Sequence, residues 1–332
     1  MRFSFKHLIF AAAAAAYAAG AALPAQAAAS NAAAVKTAAK SAKPAKAAPK
    51  KATAKKTSVN RQKASAKKVA IQKKRPVRRA KVRRAGMSPS QATLAGLRKT
   101  EDPLMLGSSV AYVMDQDTGE ELVVKNADVP LPIASVTKLM TALVIAESDL
   151  SLDEKVRITR EDYVRSTARS KMANGMRITR EALLKAALMS SDNRAAHALA
   201  RTYPGGKRAF VAKMNERAKG LGMNNTTFIN CCGLDTDGHM STARDVALMS
   251  RELIVQYPQI HNYSTIWMDT ITHVTRKGES EFGLTNTNKL IKQYQWATGL
   301  KTGSTSIAKY CLSATAKKDG VELIPPIKTV LN

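Results

Sequence analysis

Ile133-Ala134-Ser135-Val136-Thr137-Lys138-Leu139-Met140-Thr141-Ala142-Leu143 reads as the opening of a helix. Pro132 halts regular structure just before it. From Ser135 onward, Leu139, Met140, Leu143 and Val144 recur at helical spacing. Ser135 and Lys138 stand three apart and so share a face. A hydroxyl beside an amine at a helix start pairs a nucleophile with its own base. The first turn also leaves backbone N–H groups free to meet developing negative charge. Ser-x-x-Lys alone is a weak signal. The same spacing occurs at Ser65-Ala66-Lys67-Lys68, in a stretch with no apolar face. The Ser135 helix gains meaning only from residues elsewhere.

Two further polar motifs supply that company. Ser191-Asp192-Asn193 falls between two helical stretches, and Lys301-Thr302-Gly303 follows Gly299-Leu300 on a strand-like run. Each is unremarkable alone, a helix cap and a strand end. In this order they make a site for acyl chemistry. Ser135 would attack a carbonyl and form an ester. Lys138, with its pKa depressed by burial and nearby cations, would take the proton. Ser191 would relay that proton to the leaving amine. Asn193 would hold a substrate amide through its paired donor and acceptor. Lys301 would meet a substrate carboxylate, with Thr302 and Thr305 supplying hydroxyls. Gly303 would let an extended substrate lie close along the strand edge. The N–H groups of Ser135 and Ser304 are the candidate oxyanion donors. No Gly-x-Ser-x-Gly elbow and no His-Glu-x-x-His pair occurs, so nothing supports a Ser-His-Asp hydrolase or a metalloenzyme. No cofactor and no metal is expected, and His197, on a helical stretch, reads as structural.

The surrounding pattern gives an architecture. Ser108–Met114 and Glu121–Asn126 form a strand pair around the turn Asp115–Glu120. Leu150 to Gln256 is mostly helical. Strand signals return at Trp296–Thr302, Tyr310–Ala316 and Val321–Ile324. The order predicts an α+β fold, an α/β sandwich: an antiparallel sheet built from both chain ends, with a helical block inserted between them.

Charge divides the 332 residues unevenly. The net charge is +28, yet positions 31–100 hold 22 Lys/Arg and no acidic residue. Positions 101–332 carry 29 basic against 25 acidic residues. Residues 1–27 read as a signal peptide: Arg2, Lys6 and His7, then an Ala-rich apolar run to Leu23, then Ala25-Gln26-Ala27. Residues 28–86 read as a disordered Lys/Ala/Pro-rich basic linker, too poor in apolar residues to offset its ordering entropy. Export makes anionic envelope polymers its expected partner rather than nucleic acid. Residues 87–332 are the expected catalytic domain. No later run is apolar enough to anchor the mature chain across a membrane. The three cysteines, Cys231, Cys232 and Cys311, are too few for a disulfide scaffold and read as small buried residues or idle thiols.

The set Ser-x-x-Lys, Ser-Asp-Asn, Lys-Thr-Gly resembles that of penicillin-binding proteins and class A β-lactamases. From about residue 88 the chain resembles the low-molecular-mass penicillin-binding proteins, the D-alanyl-D-alanine carboxypeptidase/endopeptidase family of serine peptidases. The likeness lies in Ala134–Leu143, Leu188–Ala195 and Gly299–Ser306, and extends to Gly233-Leu234-Asp235 and Asp237-Gly238-His239-x-Ser241. Met172–Met176 resembles the Gram-negative endopeptidase branch. Thr265-Ile266-Trp267-Met268 resembles the Gram-positive carboxypeptidase branch. The resemblance implies the transpeptidase fold shared with β-lactamases, a periplasmic location, peptidoglycan stem peptides as substrates, and β-lactams as acylating inhibitors. A class A β-lactamase would carry Glu-x-x-Leu-Asn between Asn193 and Lys301, and none is there. A degenerate, non-catalytic envelope-binding protein is the third reading. Two departures stand out. The family usually has Gly near position 309, where this chain has Lys309. The Val321–Ile324 strand is followed by Pro325-Pro326, which oppose a sheet ladder, and only six further residues, which predicts that the last strand and its covering helix are missing.

Overall fold

A computed structural model describes residues 89–328 apart from 103, 167–168, 319–320 and 325. The expected signal peptide 1–27, the basic linker 28–86, and positions 87–88 and 329–332 lie outside the described residues. Strand β1 is Val110–Asp115 and β2 is Glu121–Lys125, paired antiparallel. The Asp115 carboxylate shapes the turn between them by accepting from Asp117 N at 3.0 Å and Thr118 N at 2.7 Å.

A short 3-10 turn, Ala134–Thr137, then leads into α1, Lys138–Ala146. Lys138 through Ile145 are all buried, so α1 runs through the middle of the domain. The helical block packs around it: α2 Arg180–Met189, α3 Asn193–Arg201, α4 Gly206–Gly220, α5 Ala243–Gln256 and α6 Pro258–Thr265. Caps fix three of these starts. Thr179 accepts from Ala182 N, Asp192 from Ala195 N and Thr242 from Asp245 N. Leu139, Leu143, Leu183, Leu199, Phe210, Met249 and Leu253 have no exposed surface and form one continuous core. Each contributes about 1.5–3 kcal/mol by leaving water.

The block is less uniformly helical than its sequence predicts. It contains β3, Lys155–Arg157, and β4, Arg177–Thr179, which pair with each other. They join β5, Met268–Thr275, and β6, Gly278–Thr285, in a separate four-stranded sheet. Strands of three residues are too short to leave an alternating pattern.

The chain ends with β7 Ala297–Thr305, β8 Lys309–Lys318, β9 Val321–Ile324 and β10 Pro326–Lys328. All pairings in this main sheet are antiparallel, and β9 and β10 together fill the place between β8 and β1. The sheet therefore joins both chain ends, as expected. A sheet ladder, which the two prolines are expected to oppose, resumes at Pro326. Pro326 pairs with Ser313, Ile327 with Leu312 and Ala111, and Lys328 with Val110. Proline is tolerated as the first residue of a strand, and Pro326 stands there. Lys309 takes φ +56, the left-handed region where glycine is at ease.

Candidate active site

Three elements converge on Ser135. Its own 3-10 turn carries the half-buried hydroxyl, and Lys138 opens α1 directly beneath. Lys138 has no exposed surface, and its ammonium has three acceptors: Ser135 Oγ at 2.8 Å, Asn193 Oδ1 at 2.7 Å and the Cys232 carbonyl at 2.9 Å. Burial lowers its pKa, against the raising influence of Cys232, Cys231 and Asp192. Asn193 is the first residue of α3, and Asp192 rather than Ser191 caps that helix. The Lys138 bond occupies the Asn193 carbonyl oxygen, which leaves the Asn193 amide N–H groups for a ligand. Ser191 holds φ +59 between α2 and α3 and faces the same cleft.

Strand β7 forms the opposite wall. Lys301 is fully buried, and burial and then the Lys138 charge hold its pKa well below the usual lysine range. Its ammonium donates to the Thr302 carbonyl at 2.6 Å. The Thr302 hydroxyl pairs with that of Thr287 at 2.7 Å. Thr305 Oγ1 donates to Asp235 Oδ1 at 2.6 Å and accepts from Ala308 N at 3.0 Å. The hydroxyl expected to serve a substrate is therefore engaged by a carboxylate at the rim. Between the walls lies a cleft of about 880 Å³, lined by Ser135, Ser191, Asn193, Thr302, Ser304 and Thr305 among others. It is roomy enough for an extended peptide.

Glycine has a different use here from the one its sequence predicts. A Cβ on Gly303 would stand 2.7 Å from Ser135 N and 2.9 Å from Ala134 Cβ. Gly303 thus lets β7 back directly onto the turn that carries Ser135. Gly233, at φ +80, does the same from the other side: its Cβ would meet Ala134 O at 1.8 Å. Between them Ala134 takes φ +48, a conformation costing a non-glycine residue about 1–3 kcal/mol.

A chain of hydrogen bonds holds that conformation. Ile229 N–H donates to His239 Nδ1 at 3.0 Å, which places the ring proton on Nε2. His239 Nε2 donates to Thr137 Oγ1 at 2.8 Å, and Thr137 Oγ1 donates to the Ala134 carbonyl at 2.8 Å. Burial brings the His239 pKa down to about 4, so the ring is neutral and keeps this tautomer. Asn230 orders the neighbouring loop. Its Oδ1 accepts from Cys232 N at 3.1 Å and Gly233 N at 2.7 Å. None of Thr137, Asn230, Cys232 and His239 was assigned a role from sequence, although the Gly233–Ser241 region carried family resemblance. Among the described residues, no group of three His, Cys, Asp or Glu side chains stands together to hold a metal.

Comparison with known proteins places this geometry. A profile of the D-alanyl-D-alanine carboxypeptidase family matches residues 98–331. A D-alanyl-D-alanine endopeptidase of Pseudomonas aeruginosa is 41% identical over 245 residues, covering 72% of this chain and 76% of that protein. The D-alanyl-D-alanine carboxypeptidase DacF of Bacillus subtilis is 38% identical over 218 residues, 64% of this chain and 55% of that protein. Among solved structures, the Streptomyces K15 DD-transpeptidase superposes with a TM-score of 0.66 at 31% identity, over 70% of this chain and 93% of that one.

Proposed function

The chain belongs to the D-alanyl-D-alanine carboxypeptidase family of serine peptidases, and from that premise we propose that it cleaves peptidoglycan stem peptides through an acyl-enzyme on Ser135. One observation carries this reading: the buried Lys138 ammonium joins Ser135 Oγ to Asn193 Oδ1. A lysine whose burial disfavours its charge is a base for the neighbouring hydroxyl.

In the proposed reaction, Lys138 in its neutral form takes the Ser135 proton as Oγ attacks the substrate carbonyl. The oxyanion meets the N–H groups of Ser135 and Ser304. Ser191 passes a proton to the departing amine, and water then hydrolyses the ester. Asn193 and Lys301 to Thr305 hold the peptide, with Lys301 facing its carboxylate. The bond cut is either the terminal D-Ala-D-Ala bond, as in a carboxypeptidase, or a D,D cross-link, as in an endopeptidase. We further propose export to the periplasm by residues 1–27 and contact of residues 28–86 with anionic envelope polymers.

Intact mass after incubation with benzylpenicillin tests the chemistry. One stable covalent adduct, absent in Ser135→Ala, is expected. Rapid turnover of the penicillin would instead mark a β-lactamase, and no adduct would mark a degenerate binding protein. Digestion of a monomeric pentapeptide beside a cross-linked dimer then distinguishes the two cleavages.

A further inference from the structure

A separate cavity of about 380 Å³ shares no lining residue with the substrate cleft, and its lining includes Cys231, His197, Lys207 and Arg208. Cys231 and Cys232 are adjacent, and both are free and buried. Their backbone serves the site directly. The Cys232 carbonyl accepts from Lys138 Nζ at 2.9 Å, and the Cys231 carbonyl accepts from Thr141 Oγ1, on the next turn of α1, at 2.6 Å. The Cys232 sulfur also lies 3.4 Å from His197 Nε2. Two thiols, a proton acceptor, a cavity and two basic side chains therefore meet where the Lys138 acceptors are fixed.

We propose that Cys231 and Cys232 form a reversible vicinal disulfide by exchange with a small anionic disulfide entering this cavity, and that the bridge withdraws the Cys232 carbonyl from Lys138. The thiol chemistry stands by itself, whereas its effect on Ser135 rests on the function proposed above. Lys207 and Arg208 favour an incoming molecule that bears carboxylates. The two thiols already interact. The hydrogen bond from Cys231 lowers the Cys232 pKa, and the same contact, with burial, raises that of Cys231. Cys232 gives its proton to His197 Nε2, and Cys231, at the cavity, passes its own to the Cys232 thiolate and attacks one sulfur of the disulfide R–S–S–R. A Cys231–S–S–R bond forms, and the leaving R–S⁻ takes the proton from His197 Nε2. Cys232, its proton taken by His197 Nε2, attacks the Cys231 sulfur. The Cys231–Cys232 bond forms and the second R–S⁻ leaves. The protein loses two hydrogens, and one disulfide becomes two thiols. Bridging neighbours twists the peptide between them, which turns the Cys231 carbonyl and shifts the Cα of Cys232, from which the Cys232 carbonyl hangs. A bridge strained in this way is readily reduced again.

The test uses the reduced full-length chain, oxidised glutathione as the anionic probe and cystamine as its cationic counterpart. We expect loss of two hydrogens, mapped to the peptide holding residues 231 and 232, and faster with glutathione disulfide. Penicillin acylation should fall roughly tenfold to a hundredfold, the cost of one hydrogen bond to a charged group, and dithiothreitol should restore it. Cys231→Ala should lose no hydrogen and should keep its own acylation rate, whatever that is, with and without glutathione disulfide. Modification confined to Cys311, no loss of hydrogen, or a bridged protein that acylates at full rate overturns the proposal. If penicillin does not acylate even the reduced protein, the proposed function fails, and the mass change alone judges the bridge.

Discussion

Gly303 runs so close to Ser135 that a Cβ on the glycine would stand 2.7 Å from the serine amide nitrogen. That nitrogen is a proposed oxyanion donor, so the strand wall and Ser135 are positioned by one contact. Gly303→Ala must displace either β7 or the 134–135 turn. Loss of one aligned oxyanion donor costs about 10²–10³ in rate. Overpacking of this size costs about 1–3 kcal/mol of stability. We expect penicillin acylation to fall by that factor while the variant remains folded by circular dichroism, with a modest drop in Tm.

His239 should behave as a positioning residue, since it touches Thr137 rather than Ser135. His239→Ala frees Thr137 Oγ1 and with it the carbonyl of the strained Ala134, so acylation should slow by about tenfold, the cost of one buried hydrogen bond. His239→Gln keeps an N–H that can reach Thr137 and should recover part of the rate. The histidine also predicts a pH dependence of stability. Its folded pKa of about 4 lies below the ordinary histidine value of 6.5. Between these values the unfolded chain binds more protons, so stability rises with pH. The contribution is fully present above pH 6.5 and is lost as pH falls toward 4, about 3 kcal/mol in all. Urea titrations at stepped pH should show this slope in the wild type and a flatter one in His239→Gln.

The parts of this candidate site legible in sequence are those that bring polar side chains together at fixed local spacing. Ser135 with Lys138, and Ser191 with Asn193, lie within one turn of each other, so their types and offsets suffice. The β1–β2 pair and the Val321–Ile324 strand follow from alternation and turn residues. The rest is set by backbone atoms or by distant partners. The Cys232 carbonyl holds Lys138 whatever side chain residue 232 carries. The separation of His239 from Thr137 is 102 residues, and no local period links them. Gly303 was read toward a substrate because the sequence cannot tell which backbone approaches a glycine. Pro326 was read as a ladder breaker because sequence alone does not place it at the first position of a strand.

Lys301 should couple substrate binding to protonation. Burial and the Lys138 charge disfavour its ammonium form. An arriving carboxylate favours that form. Binding of a carboxylate-bearing peptide should therefore take up a proton, and affinity should fall as pH rises through the depressed Lys301 pKa. Calorimetric titration in buffers of different ionisation enthalpy measures the uptake. Lys301→Gln should abolish it and lower kcat/KM by about 10²-fold, as expected on losing one partner of a buried charge pair. An unchanged proton count in that variant would remove Lys301 from carboxylate recognition.

Asp235 ties the two lips of the cleft together, and its removal should change binding more than chemistry. Its carboxylate accepts from Thr305 Oγ1 at 2.6 Å, Ser306 Oγ at 3.2 Å and Ile307 N at 3.3 Å. These bonds fix the turn after β7, which carries proposed substrate contacts but neither Ser135 nor Lys138. Asp235 is exposed, so its loss leaves no buried group unpaired and should be nearly neutral for Tm. Two opposing effects follow from Asp235→Ala. The turn loses its tether, and Thr305 regains a free hydroxyl for the substrate. Three acceptor contacts outweigh one released donor at about 1 kcal/mol each. KM for a peptide substrate should therefore rise by roughly fivefold to thirtyfold with kcat little changed, whereas a fall in KM would identify Asp235 as a competitor for the substrate's place at Thr305.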